Sequence, residues 1–115
     1  TDQNCPYDVA VEQGGRLIRV QVKATRQPRR IPQRVAHQSA YLFHTRRAGK
    51  GGQRRYAEGD FDVLALVALD IRRVAYLPFE GVRDNLFVRV PGVVYGGKNG
   101  MGRQFDDLTF DRAVA

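Results

Sequence analysis

The chain has 115 residues, enough for one hydrophobic core, and we expect residues 1–115 to form a single domain. Its one cysteine, Cys5, excludes an internal disulfide framework, and its longest apolar run, residues 63–69, is far shorter than the roughly 20 residues that cross a bilayer. We therefore expect a cytoplasmic protein that does not span a membrane, and the net charge of +7 favours a polyanionic partner.

Two strands joined by a glycine turn are predicted near the start of the chain. Residues 7–12 and 16–25 alternate polar and apolar side chains with a period of two. Gly14 and Gly15 between them accept the positive φ angles of a two-residue hairpin turn. In that register Asp8 lies directly opposite Gln21, and Lys23 shares their face of the hairpin.

The two faces of this hairpin predict different roles. One face carries an apolar stripe that we expect to pack on the core: Val9, Val11, Ile18, Val20 and Val22. The other face carries Asp8, Gln21 and Lys23. The carboxylate, the amide oxygen and the carbonyl of Val22 are hard ligands of the kind Mg²⁺ prefers, and an ammonium group can orient a water or stabilise a phosphate. The same residues also allow a surface salt bridge between Asp8 and Lys23 beside an exposed glutamine.

A basic block without Asp or Glu follows the hairpin. Pro28 and Pro32 make its first part a loop that cannot be a central strand, residues 39–45 form a strand, and residues 46–55 read as a glycine-rich loop. Guanidinium groups match phosphates bidentately, so this block predicts contacts with a nucleic-acid backbone, with a solvated surface as the alternative. The predicted nucleic-acid-binding residues are Arg26, Arg29, Arg30, Arg34, Arg46, Arg47, Lys50, Arg54 and Arg55.

The rest of the chain predicts a mainly antiparallel sheet with few helices. Residues 61–70 and 73–78 read as a strand pair, 87–90 as a short strand, 90–102 as a loop, and 105–115 as a short closing helix or strand. Asp60 and Asp62 are further acids near the hairpin, or they fix the start of a buried strand. Tyr41, Phe43 and Tyr56 can stack on bases, although alternate positions in residues 39–45 favour the core.

At the hairpin the sequence resembles the PD-(D/E)XK nuclease superfamily, whose signature is an Asp in one strand and (D/E)-x-K in the next. Here the two halves read Pro6-Tyr7-Asp8 and Gln21-Val22-Lys23. Together with the later sequences Asp60-Phe61-Asp62 and Tyr76-Leu77-Pro78, the Gln-x-Lys form is most similar to the branch of group I intron homing endonucleases. Archaeal-type Holliday junction resolvases share the superfamily core and are the next most similar group.

This resemblance implies an α+β, restriction-endonuclease-like fold with a mixed, mainly antiparallel sheet and a catalytic β-hairpin. The superfamily's N-terminal helix, which carries a Glu that completes the site, is expected upstream of this segment. Carried over by motif, Asp8, Gln21 and Lys23 are the catalytic residues, and Asp8, Gln21 and the Val22 carbonyl bind Mg²⁺ or Mn²⁺. The implied substrate is double-stranded DNA, cut by a homodimer or a larger homo-oligomer.

Three functions remain open from the sequence. The first is a metal-dependent DNA endonuclease, either similar to homing endonucleases or similar to Holliday junction resolvases. The second is a module on the same fold that binds nucleic acid without cutting it, because Gln21 stands where the superfamily usually has an acid. The third is a basic structural component of a ribonucleoprotein, which the charge permits but the hairpin does not require.

Overall fold

The computed structural model describes residues 7–30, 39–45, 47–49, 52–54, 56–82, 85–92 and 103–115, with the backbone alone for 47–49 and 52–54. Its strands are β1 (Val9–Gln13), β2 (Arg16–Thr25), β3 (Arg29–Arg30), β4 (Ser39–His44), β5 (Arg47–Gly49), β6 (Gly52–Arg54), β7 (Val63–Ala68), β8 (Arg73–Pro78) and β9 (Asn85–Arg89). Short 3₁₀ helices lie at Phe79–Gly81 and Phe105–Asp107, and the helix α1 covers Phe110–Val114. Among the described residues, no helix has the length and apolar character needed to cross a membrane.

The β1–β2 hairpin forms in the register that the glycine turn predicts. Gly14 and Gly15 have φ angles of 58° and 78°, in the left-handed region that a two-residue turn requires. Gln13 therefore faces Arg16, and the facing pairs continue regularly along both strands. β1 begins at Val9 rather than at residue 7, so the predicted start of this strand was two residues too early.

The hairpin belongs to a four-stranded sheet in the order β1-β2-β7-β8. β7 lies parallel to β2, with Gln21 beside Leu64 and Lys23 beside Leu66. β8 returns antiparallel to β7, which confirms the strand pair predicted from residues 61–70 and 73–78. The parallel pairing of β2 with β7 places the residues of the predicted site next to a strand more than 40 positions away in sequence.

A second sheet has the order β3-β4-β9, and β5 and β6 form a separate two-stranded ribbon. The prediction of a loop was wrong at Arg29 and Arg30, which form β3, but β3 lies at the edge of its sheet, in agreement with the prediction that this segment cannot be central. The prediction of a loop over residues 46–55 was wrong for the ribbon, where Arg47 pairs with Arg54 and Gly49 with Gly52. Strand pairing there satisfies backbone groups that a loop would leave to water. The β2–β7 pair is parallel and the other strand pairs described are antiparallel, which confirms the mixed, mainly antiparallel sheet.

Hydrophobic side chains pack against both faces of the first sheet. We define its outer face as the side of Ile18, Val20 and Val63, and its inner face as the side of Gln21, Lys23 and Leu64. On the outer face, Ile18 and Val20 are buried with Ala113 of α1. The inner face holds the larger core, where fully buried Leu64 and Leu66 meet side chains of the second sheet.

The valine stripe was therefore only part of the core. Its members Ile18 and Val20 are buried as predicted, but Val9 is 47% exposed because α1 packs on β8, at the far edge of the sheet. The core was expected on the valine side alone, yet the polar face lies on the side of the larger core. The reason is β7, whose continuous apolar sequence is buried on both faces, as is usual for a strand in a parallel pair.

Two further predictions can be compared with the structure. Tyr41 and Phe43 are buried in the main core, which favours the packing interpretation over base stacking for both. α1 confirms a short helix within residues 105–115. Most of the loop predicted for residues 90–102 lies outside the described residues.

Candidate active site

Asp8 lies at a bend immediately before β1 and is bonded to β2 in two ways. Its backbone N–H donates to the Val20 carbonyl at 2.9 Å, and its Oδ2 accepts the backbone N–H of Val22 at 2.9 Å. If β1 continued as a regular strand, the Val22 N–H would donate to the carbonyl of Tyr7. The carboxylate takes the place of this carbonyl, which ends the strand and holds Asp8 against β2.

Gln21 is buried, with 9% of its surface exposed, which disagrees with the exposed glutamine of the salt-bridge alternative. Its Nε2 donates to the Val22 carbonyl at 3.3 Å. The Asp8 carboxylate and the Gln21 amide thus both contact the backbone of Val22, one at its N–H and the other at its C=O. The three groups predicted to bind a metal are neighbours around this one residue.

Lys23 follows two positions after Gln21 on the inner face and is half-buried. Its Nζ lies 5.4 Å from the centroid of the Tyr56 ring. The described part of the chain therefore places the Asp8 carboxylate and the Gln21 amide at Val22, and Lys23 on the same face of β2 as Gln21, at the end where the basic block begins. Arg26, exposed, follows three positions after Lys23.

Asp62 was considered as an additional metal ligand, but Arg19 occupies both of its carboxylate oxygens. The guanidinium donates to Oδ1 and to Oδ2 at 3.2 Å each, and the Arg19 backbone N–H donates to Oδ2 at 2.9 Å. The Asp62 backbone N–H returns a bond to the Arg19 carbonyl at 2.9 Å. These bonds fix β2 to the start of β7, and we call this pair the Arg19–Asp62 clamp.

The clamp shifts the pKa of both partners. The hydrogen bond from the Arg19 side chain lowers the pKa of Asp62 below its ordinary value, against a smaller opposing effect of burial. The same hydrogen bond raises the pKa of Arg19. A carboxylate held in this way stays ionised and stays occupied by the guanidinium, so Asp62 fixes the start of the buried strand, which was the alternative prediction for it.

Asp60, two residues before Asp62, also uses its carboxylate to fix the local backbone. Its Oδ2 accepts the backbone N–H of Ala57 at 2.7 Å, and its own N–H donates to the Ala57 carbonyl at 3.0 Å. This closes a tight turn between Tyr56 and Phe61 that contains Gly59 at a φ of 92°. Asp60 thus shapes the entry to β7.

The donor set around Val22 carries one formal negative charge, that of Asp8, and its oxygen atoms suit a hard divalent cation. Asp8 offers its second oxygen, Val22 its carbonyl, and Gln21 an amide that exchanges nitrogen for oxygen when it turns through 180°. Among the described residues, no group of three or more His, Cys, Asp or Glu side chains is placed to hold a metal ion. A cation bound here would complete its shell with water and phosphate oxygens, as Mg²⁺ usually does.

The predicted nucleic-acid-binding residues are only partly described. Arg26 is exposed directly after the end of β2, and the exposed residues Arg29 and Arg30 form the edge strand β3. The backbones of Arg47 and Arg54 face each other in the β5–β6 ribbon. The remaining predicted residues lie outside the described residues: Arg34, Arg46, Lys50 and Arg55.

Sequence reasoning missed two features of the site, the Arg19–Asp62 clamp and the contact of Lys23 with Tyr56. A signal for the clamp was present, because Arg19 lies on the polar face two positions before Gln21. The clamp could not be recognised without knowing that β7 lies beside β2. No local pattern connects Lys23 with Tyr56, which is 33 positions away.

An aspartate held at a bend against a Gln-x-Lys strand, in a mixed sheet, agrees with the arrangement that the resemblance to the PD-(D/E)XK nucleases implies. The family model of the PD-(D/E)XK endonucleases matches residues 1–101. The chain therefore belongs to the PD-(D/E)XK endonuclease family, and the resemblance seen in the hairpin is confirmed.

Among solved structures, the chain is similar to a bacterial homing endonuclease, I-Ssp6803I. The sequences are 17% identical, the TM-score is 0.49, and the match covers 84% of this chain and 62% of that chain. The chain thus spans less than two thirds of the length of that protein. No curated protein matches the sequence significantly.

Proposed function

We propose that this chain is the catalytic core of a metal-dependent endonuclease that hydrolyses phosphodiester bonds in DNA. The observation that carries the proposal is the meeting of Asp8 and Gln21 at the backbone of Val22, with Lys23 next along the same face. Membership of the PD-(D/E)XK endonuclease family supports the nuclease class. The substrate, the metal and the site residues are the parts that we propose.

In this proposal, Asp8, Gln21 and the Val22 carbonyl hold Mg²⁺ or Mn²⁺. The bound cation would polarise the phosphodiester and lower the pKa of a water molecule that attacks phosphorus. Asp8 supplies the single negative charge of this set and is fixed by the Val22 N–H, so its orientation is set before the cation binds. Gln21 is buried and supplies a neutral oxygen, so the site leaves more of the cation's charge for the phosphate.

Lys23 acts on the substrate side of this site. Its ammonium group orients the attacking water or stabilises the negative charge that develops on the phosphate. Arg26, Arg29 and Arg30 are exposed just beyond Lys23 and bind the adjacent backbone phosphates. Binding through these contacts weakens steeply as the salt concentration rises.

The decisive experiment is the incubation of the protein with supercoiled plasmid in Mg²⁺ or in EDTA. We expect the wild type to cleave the plasmid in Mg²⁺ and not in EDTA. For Lys23→Ala we expect the cleavage rate in Mg²⁺ to fall by about 10²–10³-fold while DNA binding is retained. Arg16→Ala is the matched control, because Arg16 is a basic residue of the same strand whose side chain donates to the Val114 carbonyl at 3.2 Å, away from the site. Equal rates for Lys23→Ala and the wild type would refute the role of Lys23.

A second candidate function is nucleic-acid binding without cleavage. It is favoured by the neutral Gln21, which leaves one carboxylate in the donor set of the described residues. In that case the protein binds DNA equally well in Mg²⁺ and in EDTA and leaves the plasmid supercoiled. The plasmid experiment thus separates the two functions directly.

The form of the substrate needs a separate comparison. We propose linear duplex DNA, as for homing endonucleases, with a four-way junction as the alternative that the likeness to junction resolvases suggests. Cutting both strands takes two active sites, so we also propose a homodimer. Linear plasmid as an early product agrees with a dimer, whereas nicked circles alone would contradict it.

A further inference from the structure

We infer that Tyr56 is a positioning residue for Lys23. Its ring holds the Lys23 ammonium group in the position from which that group contacts the phosphate of the substrate. The Lys23 Nζ lies 5.4 Å from the Tyr56 ring centroid, within the distance at which a cation is attracted by an aromatic face. This inference rests on the proposed function, because it assigns Tyr56 a task at the same site.

The Tyr56 ring is itself fixed by a row of aromatic rings. It meets Phe61 edge to face, with 4.9 Å between centroids and an angle of 82°. Phe61 meets Phe79 in the same way, at 5.1 Å and 69°, and Phe61 is 1% exposed. Edge-to-face contacts of this kind restrict the orientation of each ring, so the face that Tyr56 presents to Lys23 is set by the main core.

The backbone between Tyr56 and Phe61 is equally constrained. The Ala57–Asp60 turn has two hydrogen bonds, and the Phe79 N–H donates to the Asp62 carbonyl at 3.1 Å. Asp62 is in turn fixed to β2 through the Arg19–Asp62 clamp. The ring and the strand that carries Lys23 are therefore joined through one network of ring contacts and hydrogen bonds.

A lysine side chain needs such a partner more than most catalytic groups do. Its ammonium is a compact charge on a flexible four-carbon chain, and many rotamers would carry it away from the phosphate. An aromatic face attracts the charged end without forming an ion pair with it, so the ring orients the ammonium group without adding a competing anion. Restricting it before the substrate binds raises the fraction of productive complexes.

The chain offers a direct test because it contains three lysines, Lys23, Lys50 and Lys98. Reductive methylation with ¹³C-formaldehyde gives one dimethylammonium signal for each lysine, and Lys23→Arg identifies that of Lys23 by its loss. We expect this signal at higher field than the other two because of the Tyr56 ring current. We expect this upfield shift of the Lys23 signal to persist in Tyr56→Phe, which keeps the ring, and to disappear in Tyr56→Leu.

Plasmid cleavage by the unmethylated variants gives the functional result. We expect kcat to fall about 3–10-fold in Tyr56→Leu with KM for DNA unchanged, and to stay near the wild-type value in Tyr56→Phe. Tyr76→Leu is the matched control, since Tyr76 also packs edge to face on a phenylalanine, Phe110 at 5.3 Å, but on the outer face of the sheet.

The outcomes separate this inference from the proposed function. Absence of Mg²⁺-dependent cleavage by the wild type overturns the proposed function and the positioning role with it. Cleavage by the wild type with an unchanged kcat or an unchanged Lys23 signal in Tyr56→Leu overturns the positioning role alone. An equal loss of kcat in Tyr76→Leu also overturns it, because the loss would then reflect general stability.

Discussion

Asp8 and Asp62 lie on opposite sides of β2 and use their carboxylates differently. Asp62 accepts hydrogen bonds from Arg19 at both oxygens and has a lowered pKa. Asp8 is exposed and accepts one backbone N–H at Oδ2, so its second oxygen remains to be offered to a cation. Of these two acids beside β2, Asp8 is therefore the candidate metal ligand, because a guanidinium group occupies Asp62.

The largest expected difference between the two aspartates is in activity. Asp8→Asn removes the single negative charge of the proposed metal site, so we expect Mg²⁺-dependent cleavage to fall by about 10³-fold. Its melting temperature should change little, because an amide oxygen can still accept the Val22 N–H. Glu12→Gln is the matched control, an exposed acid at the other end of β1. A nearly unchanged cleavage rate in Asp8→Asn would remove Asp8 from the site.

Stability should show the opposite order. Asp62→Asn breaks the ionic part of the Arg19–Asp62 clamp and is expected to lower the free energy of unfolding by about 1–2 kcal/mol. This value is discounted for solvent screening, since the side chains of Arg19 and Asp62 are 34% and 27% exposed. Urea unfolding measures it, with Asp8→Asn for comparison. A greater loss of stability in Asp8→Asn than in Asp62→Asn would contradict the assignment.

Gln21→Glu adds a second negative charge to the proposed metal site that contains Asp8. We expect the Mg²⁺ concentration for half-maximal cleavage to fall by about 10-fold, which corresponds to roughly 1.4 kcal/mol of additional cation binding. Burial of the new carboxylate opposes this gain and limits its size. Titration of the cleavage rate with Mg²⁺ gives the result. A higher Mg²⁺ requirement in Gln21→Glu would place Gln21 outside the metal site.

The smallest expected effect is the acid dependence of the clamp. The folded pKa of Asp62 lies below its unfolded value, so its contribution to stability is present above the unfolded pKa of about 3.9 and is lost as the pH falls through the folded pKa. Wild type and Asp62→Asn should therefore converge in stability below about pH 4. Urea unfolding from pH 6 downward tests this. A constant difference between the two proteins across that range would argue against an ionised Asp62.

Much of the local structure was predictable because it depends on short-range physics. The Gly14–Gly15 turn and the alternation of the two strands were sufficient for the hairpin register, which placed Asp8 beside Gln21. The predicted bounds of β8 are the observed ones, and those of β4 and β9 differ from the observed bounds by one or two residues. The bend at Asp8 was not predictable, because it depends on whether the carboxylate or the Tyr7 carbonyl accepts the Val22 N–H.

The basic block was harder to interpret from composition. The sequence predicted two basic loops separated by a strand at residues 39–45, whereas the structure contains the edge strand β3, the buried strand β4 and the β5–β6 ribbon. Tyr41 and Phe43 lie in the main core between the basic segments. Charge is a property of composition, but the position of each arginine depends on strand pairing.

The sequence by itself determined the β1–β2 hairpin: its turn, its register, and the common face of Gln21 and Lys23. These follow from backbone sterics and from the two-residue period of a strand, which act between neighbours in the chain. Only the tertiary structure decided that β7 lies parallel to β2, that Arg19 occupies Asp62, and that Tyr56 lies against Lys23. Those contacts join segments more than 30 residues apart, and they form because both faces of β7 have to be buried.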